Sequence, residues 1–232
     1  MEKPIAAKKK ENQFANLLIN IVIPVVLLTK FSSEEHLGPL YGLILAVLFP
    51  LVYGLYDLAI NKRKNFVSIL GLISIALTGG ISLMKLPVEY LAIKESLIPF
   101  VIGVAILISV KTKYPLFNKL IFRNELVNLD EINQRVSNSG NEKAFSKVLT
   151  NANIFLSISF FISAALNYIL AKVIVKGEPG TVEYNNELGE MTMMSYPVIV
   201  LPSLIFLFLI LYYVVKSIKN LTGLETNQIF RS

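Results

Sequence analysis

The chain has 232 residues, of which 54% are hydrophobic and 16% charged, with a mean hydropathy of +0.61. A soluble domain carries about 25% charge. Here the apolar residues stand in blocks of about twenty, the length that crosses a hydrocarbon layer about 30 Å thick at about 1.5 Å per helical residue. That excludes a soluble globular domain. Segments of about ten residues with alternating polarity, the mark of membrane-crossing strands, are also missing. With no cysteine there is no disulfide framework, thiolate nucleophile or cysteine metal site. The expected fold is all-α: a polytopic membrane protein, a six-transmembrane-helix bundle with a cytoplasmic interfacial helical connection, in one membrane domain over 1–232.

The first span is expected over about 14–31, after the KKK of Lys8, Lys9 and Lys10. No small-x-small cleavage site follows its end in LLTKFSSEEH, so it reads as a retained anchor rather than a signal peptide. Asn16, Asn20 and Pro24 recur at intervals of four and define one face. Polar side chains in a span turn toward protein, although Asn16 alone reads equally well as interfacial. His36 follows Glu34 and Glu35 in a short loop and is expected to be solvated rather than a metal ligand.

The second span, about 38–60, opens on GPLYG, whose GxxxG spacing marks either a turn or a helix contact. Asp57 lies at its inner end, with Arg63 and Lys64 close behind in NKRKN, the pattern of a rim salt bridge. In the third span, about 66–84, Gly79 and Gly80 permit close packing or a bend.

The fourth span raises the main question, because LAIKESLIPF puts Lys94 and Glu95 at its start. The run from Leu97 to Val110 is too short to cross. A start at Leu91 gives about 30 Å and places both charges about one turn inside the outer boundary. Sequence neighbours point about 100° apart on a helix, so they do not neutralise each other directly. Glu95 suits a helix N-terminus, where unpaired amides carry partial positive charge. Lys94 does not. It either snorkels to the interface on its four-carbon stem, binds an anionic group together with Lys30 and Lys85 at the same outer level, or pairs with a glutamate on another helix.

The connection 111–151 is expected to be cytoplasmic. YPLFNKLIFR mixes apolar residues with Lys119 and Arg123, suiting a helix in the headgroup layer. ELVNLDEINQRV continues as an amphipathic helix, SNSGN breaks it, and EKAFSKVL leads into the fifth span, about 152–173. Asn167 in that span, beside Ala164 and Ala165, points to a helix–helix contact rather than to substrate. An outer loop over 174–194 then precedes the sixth span, about 195–216.

Charge sets the direction. The N-terminal lysines, Lys62, Arg63 and Lys64, the basic residues of 111–151, and Lys216, Lys219 and Arg231 hold most of the 22 basic residues. The alternate turns hold Lys30, Lys85, Lys94, Lys172 and Lys176 together with Glu34, Glu35, Glu89, Glu95, Glu178, Glu183, Glu187 and Glu190. Basic residues stay on the cytoplasmic side during insertion, so both termini are expected there. No mid-membrane acidic chain, HExxH, Ser–Lys or Ser–His constellation and no Gly-rich phosphate loop is found. An enzyme is therefore not expected, and no cofactor or metal is called for.

With these residues in view, the chain resembles the intracellular septation protein A family of bacterial inner-membrane proteins, and more closely its longer relatives. The resemblance runs through NLLINIVIPVVLLTKF, then LTGGISLMKLPVEYLAIKESLIPFVIGVAILISVKTKYPLFNKLIF. It continues through NANIFLSISFFISAALNYILA and SYPVIVLPSLIFLFLILYYVV. Its most specific pieces are the Gly-Gly pair, Ile93-Lys94 and the Lys-Tyr-Pro-Leu at 113–116. The family implies a role in envelope maintenance or cell division, without an assigned chemistry, and by resemblance Lys30, Lys94 and Asn167 are the positions carried over. The LPVEYLA segment, Glu95, the outer stretch 174–194 and the LTGLE tail depart from its shorter members. The function expected is a non-enzymatic inner-membrane protein of cell-envelope biogenesis that scaffolds partners or binds an anionic lipid at the outer leaflet, through Lys30, Lys85 and Lys94. Glu95, Asn167, Asp57 and Asn20 would be structural polar residues. Membrane lipids, other envelope proteins or a second copy of the chain are the expected partners, and nucleic acid is not. The alternative is a transporter of small molecules or lipids.

Overall fold

The computed structural model describes residues 18–60, 66–112, 116 and 127–230. They are helical apart from turns and a single antiparallel bridge between Val127 and Phe230. Backbone contacts divide the chain into a first unit, Met1–Lys94 with Ala171–Met194, and a second, Glu95–Leu170 with Ser195–Ser232.

The first unit begins with a π-helical turn, Leu18–Val22, running into α1, Ile23–Lys30. Pro24 has no N–H to offer the carbonyl one turn back, and the helix widens there. After a turn, α2 spans Gly38–Ile60 and α3 Phe66–Leu83. Glycines let these two close. A Cβ on Gly79 would stand 2.8 Å from Val47 Cγ1, and one on Gly54 would stand 2.9 Å from Leu72 Cδ1. The partners descend along one helix as they ascend along the other, so α2 and α3 pack antiparallel. Gly80, beside Gly79, faces open space.

Leu86 N–H donates to Ile81 O (3.0 Å) to end α3, with Lys85 in the left-handed conformation at φ 51°. Helix α4, Val88–Ser109, follows; its opening turns belong to the first unit, and Leu91 and Ala92 are fully buried.

The stretch 174–194, expected as an outer loop, contains helix α7, Val182–Ser195. It passes through a second π-helical turn, Tyr196–Val200, into α8, Leu201–Thr222, so the sixth apolar segment has no separate start at 195. The polar run YNNELGE looks like loop because it carries two asparagines, two glutamates and a glycine. Its polar groups are instead spent on specific partners. Glu187 Oε2 accepts the backbone N–H groups of Lys176 (2.8 Å) and Gly177 (2.7 Å), which closes the preceding turn. Tyr184, Asn185, Leu188, Gly189 and Met191 are buried.

In the second unit, α5, Leu129–Asn138, and the start of α6, Glu142–Ile174, are separated by Ser139, Gly140 at φ 64° and Asn141. The break thus falls where SNSGN was expected to place it. Ile132 and Val136 on α5 join Phe145, Ile218, Leu224 and Ile229 in one core. Helix α8 ends at Gly223, φ 70°, and its Leu221 carbonyl accepts Asn141 Nδ2 (2.8 Å). The LTGLE tail then folds back: α9, Thr226–Ile229, is capped reciprocally by Glu225 and Gln228, and Asn128 N–H donates to Ile229 O (2.9 Å). Ser157 on α6 donates to Gly103 O on α4 (2.8 Å). The expected headgroup-layer helix over 114–123 lies almost wholly outside the described residues.

Four stretches among the described residues are long and apolar enough to cross a membrane: Gly38–Tyr56, Val88–Ser109, Glu142–Ile174 and Val182–Thr222. Leu18–Lys30 and Ile69–Leu83 are apolar but shorter. They fall within the expected first and third spans.

Candidate functional site

A row of hydroxyl side chains in the first unit is built on α3. Ser74, Thr78 and Ser82 recur every four residues, so their hydroxyls share one face. Thr78 Oγ1 donates to Ser74 O (3.1 Å) and Ser82 Oγ to Thr78 O (2.8 Å). The hydroxyl hydrogens of Thr78 and Ser82 are thereby committed to the helix itself, and their oxygens are left as acceptors.

Two residues use those acceptors. Lys94 is 7% exposed, and its Nζ donates to Thr78 Oγ1 at 2.6 Å. Tyr184, with 0% exposure, has its phenol oxygen 2.8 Å from Ser82 Oγ. Since Ser82 has given its hydrogen to Thr78 O, Tyr184 is the donor. The lysine lies six residues into α4, about 9 Å along the helix. Among the described residues it is the one charged side chain in the buried class. Its amine thus turns into the protein rather than out along the rim.

A second cluster joins α7 to the end of α1. Asn185 Nδ2 donates to Pro39 O (2.7 Å) and to Ser32 Oγ (3.0 Å), and Ser32 Oγ donates to Leu27 O (3.1 Å). The Asn186 amide, oriented to donate, reaches Thr29 O (3.2 Å) and Leu28 O (3.3 Å). Carbonyls at a helix C-terminus have no acceptor-side partner within their own helix, and the Asn186 amide and Ser32 supply partners for those of α1. Gly42 and Gly189 make the approach possible. A Cβ on Gly42 would collide with Ser32 Oγ, and one on Gly189 would come within 2.5 Å of Thr29 Cγ2.

The other expected site residues each have their own setting. Lys30 is exposed at the end of α1. Lys85 is exposed too, with its stem lying over Gly180: a Cβ there would be 3.0 Å from Lys85 Cε. Glu95 is half-buried and falls in the second unit. Asn167, also in the second unit, donates to Ser163 O on its own helix (2.8 Å). Asn20 is half-buried in the first π-helical turn. The backbone of Asp57 is in α2, and its side chain lies outside the described ones. His36 Nδ1 is 2.7 Å from Ser33 Oγ in the turn after α1. No group of three or more potential metal ligands occurs among the described residues.

Sequence reading singled out Lys94 but missed its setting. The four-residue spacing of Ser74, Thr78 and Ser82 was visible and could have been used. Nothing in the sequence pointed to Tyr184 or Asn185, because their roles depend on α7 being a helix. No family model, curated protein or solved structure matches the chain, so the septation-protein resemblance rests on its sequence motifs alone.

Proposed function

We propose that this is a non-enzymatic, multi-pass inner-membrane protein of the cell envelope that holds an anionic lipid headgroup or solute near the outer leaflet, with Lys94 at the centre of the site. Six crossings and cytoplasmic termini belong to this reading. The observation that carries it is the buried Lys94 ammonium on the hydroxyl face of α3. A cation at membrane depth is costly and marks a functional site by default. Lys30 and Lys85 are exposed and available to hold the outer part of a headgroup.

Native mass spectrometry in mild detergent tests this, comparing the wild type with Lys94→Ala. The expected result is a defined anionic lipid retained by the wild type and lost from the variant. The same unselective lipids on both would remove Lys94 from any binding role.

The transporter reading is favoured by one observation, the two π-helical turns beside prolines in apolar helices. Such turns are frequent at functional sites. It predicts that single cysteines at buried mid-helix positions such as Ala46 and Ser157 react with a water-soluble thiol reagent. The chain has no native cysteine to interfere. No reaction at either position from either side of the membrane would count against transport.

A further inference from the structure

We infer that the first unit holds an ordered water molecule that donates a hydrogen bond to Asn185 Oδ1. This amide is fully buried. Its orientation is fixed by its partners. Nδ2 lies 2.7 Å from Pro39 O, which can only accept, so Oδ1 cannot be exchanged into that place. Both Nδ2 hydrogens are spent, on Pro39 O and on Ser32 Oγ.

No donor among the described residues reaches Oδ1. The neighbouring donors are committed elsewhere. Ser32 gives its hydrogen to Leu27 O, and the Asn186 amide is directed at Leu28 O and Thr29 O. A buried amide oxygen without a donor is rare in folded proteins and is costly where it occurs, and ordered water is the usual partner.

The alternatives fit the site less well. A larger amine or hydroxyl ligand would have to part closely packed elements, since Gly42 brings α2 onto Ser32 and Gly189 brings α7 onto Thr29 of α1. A monovalent cation would satisfy Oδ1 but needs further oxygens. The other nearby oxygens, Pro39 O and Ser32 Oγ, already face the amide hydrogens of Asn185, which would repel it. Water donates to Oδ1 without requiring those oxygens. The site is independent of the anionic ligand proposed at Lys94.

The test is an experimental structure of the full chain in lipid, at a resolution that shows ordered solvent, with and without exchange of potassium for thallium. A peak at about 2.7–3.2 Å from Oδ1, unchanged by thallium, is the expected result. A peak that strengthens with thallium would replace the water by a cation and overturn the proposal. So would an Oδ1 bonded to a protein N–H or O–H, or no peak at all. Asn185→Leu should abolish the peak; if that variant does not fold, the wild-type map alone decides.

Discussion

At the scale of single residues, Lys94 and Lys85 make opposite uses of a lysine. The Lys94 charge is buried against Thr78, and methionine removes that charge while keeping most of the side chain's volume. Lys94→Met should therefore lower anionic-lipid retention with the fold intact. A large loss of stability would instead make the amine a structural strut. Lys85 occupies the left-handed position that closes α3, at φ 51°, where glycine is the usual residue. On backbone grounds alone Lys85→Gly should stabilise by about 1 kcal/mol. If the lysine is kept for its side chain, the same variant should also lose outer-leaflet anionic lipid, a combination that thermal melts and native mass spectrometry read separately. Tyr184→Phe removes the donor to Ser82 Oγ, for an expected cost of about 1 kcal/mol, seen as a lower melting temperature with lipid binding intact.

Among the elements, the Gly79–Gly80 pair shows where sequence reading stops. It was visible that two adjacent glycines in an apolar segment permit close packing, but not which of them is used, because that depends on how α3 is rotated against α2. The structure assigns the role to Gly79, against Val47, and leaves Gly80 facing open space. Gly79→Leu should then overpack the α2–α3 contact, at about 1–3 kcal/mol, whereas Gly80→Leu should be tolerated. Equal effects in a thermal melt would mean that α3 is rotated otherwise. Helix α7 was illegible for a different reason. Its Asn186 amide satisfies carbonyls at the end of α1 and its Asn185 amide reaches the Ser32 hydroxyl, 153 positions away in the chain, and no local pattern reports a partner at that distance. The α5–α6 break, by contrast, depends only on SNSGN and was legible.

For the whole molecule, long apolar blocks made a membrane protein evident from sequence, and the four long apolar stretches agree with it. The number of crossings is harder to read, because Leu18–Lys30 and Ile69–Leu83 are shorter than a full span. The last long stretch errs the other way: its 41 residues would extend about 60 Å as a continuous helix, twice the hydrocarbon thickness. Its α7 portion, rich in asparagine and glutamate, is expected to remain outside the hydrocarbon. Labelling of single cysteines in intact cells decides the count. If both shorter helices cross, His36→Cys reacts from outside the cell, while Ser139→Cys and a cysteine at Lys3 react only after the membrane is opened. If Ile69–Leu83 does not cross, three intervening segments become two, and positions 36 and 139 must label from the same side. If only Leu18–Lys30 fails to cross, those two positions stay on opposite sides while position 3 joins position 36. The basic residues at both termini favour the first pattern, and loss of the Ile69–Leu83 crossing would also put Lys94 on the side opposite position 36, away from the outer leaflet where its ligand is proposed.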